Sequence, residues 1–326
     1  MKLLEGNTVM RIAFLNLCHT DPVLVARCAR RLCADPDFDM YIHVDAKQDI
    51  EPFKKHLNGI DRVYFTPNRH KVYWGGYNAI HACYELLRTA LNSDRNYDYF
   101  VMMQNLDYPI KSNSYIKEFF EANNGKEFIR GCPIGGTKDW EFSRKYKLYY
   151  MKDNPYGKAS NKNPHKLLIT AVSTLLSLTT IGFNGIIKEK DGDYKIYYGC
   201  AQWAVTRQCA EYLDNFEGTH PKFNRKMKIM QFPDEEYFHT VVHNSEFKTH
   251  CIKYDEPEQR WLVNWRNLTY FEFPREVTVL TKADYERIKD RPDLFCRKVR
   301  SEVSGELLEL LDNEGENERE RQADIT

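Results

Sequence analysis

The sequence predicts an α/β fold in which helices flank a mostly parallel central sheet. Two observations carry this prediction. Short apolar segments rich in β-branched and aromatic residues recur along the chain, as is typical of strands buried on both faces. Between them lie longer segments in which apolar residues return every three or four positions, the spacing of a helix. Such alternation favours parallel pairing, because parallel neighbours need a crossover connection.

The first half of the chain shows this alternation most clearly. Buried strands are predicted, in order, at 11–17, 40–46, 62–67, 97–105 and 127–131. Helices are predicted between them at 22–34, 76–92 and 114–124.

The second half is less regular. Residues 195–206 are predicted to form a strand that leads into a helix, and Pro233 is predicted to begin another helix. A strand at 277–280 is followed by a predicted helix at 281–290, which opens with a Thr–Asp capping pair.

Composition argues against a nucleic-acid partner, because 47 basic and 47 acidic residues leave no net charge. The nine cysteines are odd in number, lack a CxxC pair and lie partly in apolar segments, so free, buried thiols are expected. No signal-peptide pattern is visible at the N-terminus. A reducing, cytoplasmic location is therefore expected.

One apolar segment, 166–188, has the length needed to span a bilayer. Its serine and threonine residues dilute its hydrophobicity, so a buried helix is the first expectation. Contact with a membrane surface is second, and a transmembrane span is third.

Three polar residues close or follow predicted strands: His19, Asp45 and Asp107. Ligands of α/β sheets bind beyond the carboxyl ends of the strands, so these side chains are candidates for ligand contacts. Each acid has an equally good structural role, because aspartate often caps a turn.

Tryptophans beside glycines form a second group of candidates. Trp74 precedes Gly75 and Gly76, and Trp203 follows the segment "YYGCAQ". Flat aromatic faces with close backbone approach suit sugar binding. An ordinary turn at the first site and core packing at the second are the alternatives.

Phosphate-binding and metal-binding signals are weak. Neither GxGxxG nor GxxxxGK[ST] occurs. Acidic pairs that could hold a metal ion occur in "DPDFD" (Asp35, Asp37, Asp39) and "DGD" (Asp191, Asp193), but both are better explained as surface turns. Fixed cations could replace a metal, and the C-terminal region carries them at Arg275, Arg297, Lys298 and Arg300.

The segment "QFPDEEYFHTVV" places Asp234, Glu235 and Glu236 directly after a proline. Acids in the first turn of a helix are an ordinary start signal, since the helix dipole favours negative charge there. A catalytic base is the alternative. His239, four residues beyond Glu235, is a candidate to orient it.

Taken together and in order, these motifs resemble the core-2/I-branching β-1,6-N-acetylglucosaminyltransferase and peptide O-xylosyltransferase family. The matching segments are "HTDP", "IHVDAK", "WGGYNAI", "LDYPIKS", "YYGCAQW" and "FPDEEYFHTVVHNS", spread over residues 11–300. The resemblance implies a GT-A-type glycosyltransferase fold and inverting transfer from a UDP-sugar. It also implies a site without a metal ion or other cofactor.

The resemblance also implies roles for individual residues. Glu235 corresponds to the catalytic base. The donor would contact His19, Asp45, Trp74, Asp107, Arg275 and Lys298. The acceptor would contact Trp203, Asp234 and, with a looser match, Trp265. The segment Gln104–Asn105–Leu106–Asp107 departs from the Ser-Gly-x-Asp of many relatives, which leaves the contacts of that loop open.

Residues 11–300 would form the transferase domain, with a donor half at about 11–135 and an acceptor half at about 136–300. Residues 1–10 would be an N-terminal extension, and 301–326 a charged tail with one short helix. A bacterial enzyme is expected, with GlcNAc as first donor sugar and xylose as second. Its acceptor would be a glycan or glycoconjugate, reached at the cytoplasmic side with peripheral membrane contact. The rival functions are a metal-dependent GT-A transferase and a non-catalytic glycan-binding module.

Overall fold

The computed structural model describes residues 9–157, 160–252, 266–273 and 276–323, with side chains through residue 314. Its strands are β1 (Ile12–Cys18), β2 (Phe38–Val44), β3 (Val63–Phe65), β4 (Tyr99–Gln104), β5 (Asp107–Pro109), β6 (Cys132–Pro133), β7 (Ile186–Lys188), β8 (Asp193–Lys195), β9 (Tyr197–Tyr198), β10 (Trp203–Thr206), β11 (Thr269–Tyr270) and β12 (Phe295–Arg297). Its α-helices are α1 (Pro22–Leu32), α2 (Glu51–Leu57), α3 (Asn78–Leu91), α4 (Asn113–Ala122), α5 (Trp140–Lys147), α6 (Pro164–Ser177), α7 (Arg207–Thr219), α8 (Pro221–Met227), α9 (Tyr237–His243), α10 (Tyr285–Ile288) and α11 (Gly305–Ala323).

The central sheet has the strand order β10–β4–β1–β2–β3 within the described residues. All neighbours in it are parallel except β10, which runs antiparallel to β4. The predicted α/β class with a mostly parallel sheet is confirmed. The carboxyl ends of β1, β2 and β4 therefore share one edge of the sheet, where ligand sites of such folds form.

Two apolar clusters cover the two faces of the sheet, as the alternation of side chains along a strand requires. On β1, Ile12 and Phe14 belong to one cluster, together with residues of α1. Ala13 and Leu15 belong to the other, together with residues of α3. Burial on both faces explains why β1 is recognisable in sequence as a continuous apolar segment.

A second, smaller sheet with the order β11–β12–β5 brings the C-terminal region to the end of β4. Its strand β12 pairs with both others, antiparallel to β5, so that Arg297 lies opposite Asp107. This sheet joins segments about 190 residues apart at the edge formed by the carboxyl ends of the central strands.

Two predicted strands are not formed as such. Residues 127–131 make only isolated bridges, Glu127 with Cys251 and Phe128 with Ala204. The buried carboxylate of Glu127 instead accepts hydrogen bonds from the backbone and hydroxyl of Thr206. Residues 277–280 form no strand either, although single backbone bonds join Thr278 and Leu280 to Lys298.

The first expectation for the apolar segment 166–188, a buried helix, is wrong. Helix α6 lies on the surface, and its leucines Leu168 and Leu175 are 64% and 66% exposed. Polar residues hold its last turn to the protein: Tyr149 N–H donates to the Ser177 hydroxyl (2.9 Å), and Thr180 donates to the Lys147 carbonyl (2.8 Å). In the described part of the chain, no helix combines the length and apolarity needed to cross a membrane.

Helix α11 extends further than the short helix predicted for the tail. Leu307, Leu308 and Leu311 are buried in the cluster that contains α1. Asp312 accepts hydrogen bonds from Arg27 (2.8 Å) and Arg31 (3.1 Å) of α1. The first half of this helix is therefore part of the folded unit. All nine cysteines are buried thiols outside any disulfide, as the sequence predicted.

Candidate active site

The acidic knot, residues 234–236, lies in a short turn that precedes α9. Phe232 has a left-handed backbone conformation (φ 57°), and Pro233–Glu235 form one 3-10 turn. The helix predicted to begin at Pro233 begins only at Tyr237. The Gly199 N–H donates to the Glu235 carbonyl (2.8 Å), so the backbone of the knot is anchored to the "YYGC" segment.

Lys145, which was not among the predicted site residues, offsets part of the negative charge of this knot. Lys145 of α5 places Nζ 3.2 Å from Glu235 Oε2 and 4.0 Å from Glu236 Oε1. The rings of Tyr198 and Phe232 lie against the same ammonium group, with centroids 4.6 Å and 5.1 Å from Nζ. Burial alone would lower the pKa of Lys145, but the carboxylates of Glu235 and Glu236 raise it, so this cation stays charged.

The three carboxylates differ in access. Glu236 is fully buried, whereas the side chain of Glu235 is 20% exposed. Among the described residues, neither oxygen of Glu236 nor Oδ1 of Asp234 has a hydrogen-bond partner. Glu235 is thus the member of the knot that is both paired with a cation and open to solvent.

Burial and crowding raise the proton affinity of the other two acids. Burial raises the pKa of Asp234 to about 7, and the neighbouring Glu235 charge adds to the shift. Burial raises the pKa of Glu236 to about 8; Lys145 opposes this, while the other two acids add to it. The pKa values of Asp234 and Glu236 thus lie in the neutral range, well above those of exposed acids.

His239 does not orient Glu235 in the predicted manner. Its ring is buried against Gly199, where an added Cβ atom would come within 2.4 Å of His239 Cδ2. Burial lowers the pKa of His239 to about 3, and His243 adds to the effect, so the ring is neutral. Its role is to fill the space that the glycine leaves.

Trp74 is an exposed aromatic side chain that contacts Phe232, just before the knot. It is 74% exposed, and its ring meets Phe232 edge-on at 4.7 Å between centroids. Gly75 has φ +73°, and a Cβ atom there would lie 2.9 Å from the Phe232 ring. The glycine is required for this close approach, which brings Trp74 to the residue that precedes Pro233.

Asp45 and Asp107, the two acids predicted at strand ends, form hydrogen bonds and ion pairs within the protein. The Asp45 carboxylate accepts from the N–H groups of Lys47 (2.9 Å) and Val72 (3.2 Å) and pairs with Lys47 Nζ (2.9 Å). Asp107 accepts from Gln104 N–H (2.8 Å) and from Arg297 Nη1 (2.6 Å). Both therefore hold loops at the sheet edge, in line with the turn-capping alternative.

A basic segment, residues 297–300, meets the ends of β1 and β4. Val299 N–H donates to the Leu106 carbonyl (3.1 Å), and Ser301 donates to Asp21 just beyond β1. His19 lies exposed in the same β1 loop. Burial lowers the pKa of Lys298, and the charges of Arg297 and Arg300 lower it further, as expected for cations that crowd together.

The buried thiol of Cys200 is under the electrostatic influence of both charged regions, the acidic knot and the basic segment. Burial raises its pKa and the Glu235 charge adds to this, whereas Arg266, Arg130 and Arg297 oppose it. The acidic knot and the arginines at the sheet edge therefore both affect the pKa of this thiol. Arg130 and Arg266 were not predicted as site residues, because nothing in their local sequence distinguishes them from surface arginines.

The predicted acceptor contact at Trp203 is not available on the surface. Trp203 is 2% exposed and packs against Phe238, with ring centroids 5.1 Å apart. The core-packing alternative is correct for this ring: although β10 is an edge strand, Trp203 belongs to the apolar cluster that covers one face of the sheet. Trp265 and Arg275 lie outside the described residues.

The rival metal ligands lie away from the knot. Asp37 and Asp39 flank the amino end of β2, where Asp37 pairs with Lys117 and Asp39 with Arg95. Asp191 pairs with His220 (2.9 Å), and Asp193 begins the second strand of the β7–β8 hairpin. Within the described ranges, no cluster of His, Cys, Asp or Glu has a metal-binding arrangement.

Comparison with known proteins gives a family match over most of the chain. Residues 12–289 match the family described as Core-2/I-Branching enzyme. The chain is 22% identical to the xylosyltransferase sqv-6 of Caenorhabditis elegans over 291 residues, 84% of this chain and 33% of that protein. It is 23% identical to xylosyltransferase 2 of Homo sapiens over 331 residues, 93% of this chain and 33% of that protein. The chain thus spans about a third of the length of these curated relatives.

Proposed function

We propose, because this chain belongs to the Core-2/I-Branching enzyme family, that it is an inverting glycosyltransferase using a UDP-sugar donor and a glycan hydroxyl as acceptor. The observation that carries the proposal is the state of Glu235. Its carboxylate is partly exposed, lies 3.2 Å from Lys145 Nζ and follows Phe232, whose ring packs against the exposed Trp74. An accessible carboxylate near an aromatic surface suits proton removal from a sugar hydroxyl.

In the proposed reaction, Glu235 takes the proton of the acceptor hydroxyl as its oxygen attacks the anomeric carbon of the donor sugar. The new C–O bond forms on the face opposite the diphosphate. The bond from the anomeric carbon to the diphosphate oxygen breaks, and UDP leaves with the electron pair. Lys145 acts as a positioning residue that keeps the carboxylate of Glu235 ionised and in place.

The departing UDP gains negative charge, which needs stabilisation. In this proposal the basic segment supplies it through Lys298, together with Arg275, and no metal ion takes part. The location of Lys298 beside the ends of β1 and β4 supports this role, because donors of α/β folds bind at that edge. Crowding with Arg297 and Arg300 favours an anionic ligand.

The donor sugar is proposed as GlcNAc first and xylose second. Several of the matched relatives are named xylosyltransferases, which is reason to test UDP-xylose beside UDP-GlcNAc. The acceptor is proposed to be a glycan or glycoconjugate of a bacterial surface polymer, modified at the cytoplasmic side of the membrane.

A donor screen tests the proposed function. UDP release is measured for a panel of UDP-sugars with candidate glycan acceptors, with and without EDTA. We expect turnover of one donor, undiminished by EDTA. Release from none would favour a glycan-binding module. Activity that vanishes in EDTA and returns with Mn²⁺ would favour the metal-dependent alternative.

Replacing Arg275 and Lys298 with alanine tests the leaving-group role. Each well-placed donor to a developing anion is worth roughly 10²–10³-fold in turnover, so each single variant should lose about that much. The double variant should also bind UDP more weakly in calorimetry, without rescue by Mn²⁺ or Mg²⁺. The matched control is Lys55→Ala, an exposed lysine on α2. Parental UDP affinity in the double variant would contradict the assignment.

A further inference from the structure

Helix α6 presents an apolar surface to solvent, the reverse of an ordinary surface helix. Pro164, Leu168, Ala171, Leu175 and Leu178 follow one another at spacings of four, three, four and three residues, and all are exposed. At 3.6 residues per turn, these positions form one continuous stripe. Leu178 at its end is 72% exposed. The stripe contains no polar side chain.

The opposite side of α6 carries the polar contacts. Ser177 and Thr180 are buried, and both hydrogen-bond to the segment that follows α5 or to the end of α5 itself. Ile169, Val172 and Leu176 are only half-buried. The helix is therefore held by its serine and threonine side while its leucines remain uncovered. A contiguous exposed apolar patch of this kind marks a docking surface.

The charges in the sequence near this helix indicate which kind of surface would bind its exposed apolar face. From residue 154 to residue 188 the sequence contains no Asp or Glu, although 47 of the 326 residues are acidic. The same segment carries Lys158, Lys162, Lys166 and Lys188. Lys152 lies close to Lys166: burial lowers the pKa of Lys152 and the Lys166 charge lowers it further. The sequence around the apolar stripe is thus basic and free of acids from 154 to 188, which is complementary to an anionic surface.

We propose that α6 is an interfacial helix that docks this protein onto an anionic membrane surface. The leucine stripe enters the boundary between headgroups and acyl chains, while the lysines at its N-terminal end meet anionic headgroups. A second copy of the chain fits less well. It would bring the same positive charge, and the stripe of a 14-residue helix is small beside the roughly 800 Å² per partner of a stable dimer.

Docking through α6 would also hold the active site near the bilayer. Thr180, just after α6, bonds to the Lys147 carbonyl at the end of α5, and Lys145 on α5 pairs with Glu235. The two helices and the acidic knot are thus joined by direct contacts. An acceptor located at the membrane surface would reach Glu235 without the protein having to leave that surface.

Vesicle flotation of the full chain tests this proposal. One set of vesicles contains phosphatidylcholine alone, and the other contains equal parts of phosphatidylcholine and phosphatidylglycerol. The parent should bind the anionic vesicles at least about tenfold more strongly. Leu168→Gln/Leu175→Gln/Leu178→Gln should lower that binding on the order of 100-fold, because three exposed leucines lose their apolar contact. Lys162→Gln/Lys166→Gln should lower it roughly tenfold, with a weaker salt dependence.

The matched control is Val9→Gln/Val303→Gln, which alters exposed apolar residues outside α6 and should bind like the parent. Thermal melting checks that each variant is folded. If the triple variant is unfolded, the single variant Leu178→Gln takes its place. The docking proposal fails if the parent floats with neither vesicle, or if the triple variant binds as the parent does. It also fails if light scattering shows that the triple change splits a dimer while vesicle binding is absent.

UDP release from soluble substrates, measured without vesicles, should be unchanged in the triple variant. This readout separates the two proposals, since loss of membrane binding with retained turnover concerns α6 alone. An inactive parent that still binds anionic vesicles would overturn the transferase proposal and leave the docking proposal standing.

Discussion

Two acidic regions of this molecule lie at the same edge of the fold and are built in opposite ways. Asp45 follows β2 and accepts hydrogen bonds from two backbone N–H groups and pairs with one cation. Asp107 follows β4, accepts from one backbone N–H group and pairs with one cation. The acidic knot brings three carboxylates together with one nearby cation, Lys145. Buried oxygens of Asp234 and Glu236 have no hydrogen-bond partner among the described residues.

In the proposed reaction, this difference separates acids that hold the structure from an acid that reacts. A buried carboxylate with matched donors orders the loops around it. In the acidic knot, burial and neighbouring charges raise the pKa of Asp234 and Glu236, and such clusters are common where protons are moved. Asp107 holds Arg297 next to Lys298, and Glu235 is the partly exposed acid that is proposed to take the proton.

The largest expected effect distinguishes the two regions directly. Glu235→Gln keeps the shape of the side chain but removes the base, so transfer should fall ~10²–10⁴-fold while UDP-sugar affinity stays near the parental value. Initial rates and donor titration measure the two quantities. The free energy of unfolding should change by less than about 1 kcal/mol, because this side chain is partly exposed.

Glu211→Gln is the control for that change, since Glu211 is an exposed acid on α7. Near-normal transfer in Glu235→Gln would move the catalytic role to another acid of the knot. A loss of donor binding would mean that Glu235 supports the structure of the donor site.

A second prediction concerns the structural acids. Asp107→Ala leaves the Arg297 guanidinium, only 13% exposed, without its carboxylate partner. Breaking a buried ion pair on one side costs about 3 kcal/mol, and urea denaturation should show a loss of that size. Asp290→Ala, at an exposed position, is the control. Unchanged stability in Asp107→Ala would remove the distinction between the two regions.

Much of the fold was predictable from sequence, because strands buried on both faces form continuous apolar segments. The prediction failed at 127–131, where Glu127 and Phe128 pair with two different segments as isolated bridges. An apolar segment indicates a buried strand but does not show whether its backbone meets one continuous partner strand. It failed again at α6, because an apolar segment predicts burial and cannot reveal that its serine side faces the protein.

The site was predictable in part. Trp74 packs against Phe232, just before the acidic knot, and Asp107 bonds to Arg297, the neighbour of Lys298, yet Trp203 proved to be a core residue. Lys145 was missed because its partner lies 90 residues away, and a lysine among other basic residues carries no local signal. Contacts between distant segments bring Lys145 to the acidic knot and Arg297 to Asp107.

The third prediction uses the raised pKa values of the knot. Asp234 and Glu236 have folded-state pKa values of about 7 and 8, above those of exposed acids, so the folded protein binds more protons than the unfolded chain up to about pH 8. Stability must then fall as pH rises through this window. We expect a loss of about 4 kcal/mol between pH 6 and pH 8 in urea denaturation. Asp234→Asn/Glu236→Gln should flatten this dependence; an equal slope in the double variant would exclude the knot as its source.

The smallest expected effect tests whether Lys145 acts through Glu235. Lys145→Met keeps much of the apolar contact with Tyr198 and Phe232 but removes the charge that favours an ionised carboxylate. The acidic limb of the pH–rate profile should therefore move to higher pH by about one unit, so that transfer falls about tenfold on the acidic side and much less at pH 7. Lys145→Arg should restore most of the parental profile, whereas Lys138→Met, at an exposed position before α5, should leave it unchanged. A Lys145→Met variant that is slower at every pH with an unshifted profile would show that Lys145 supports packing alone, because only a change in charge moves the profile along the pH axis.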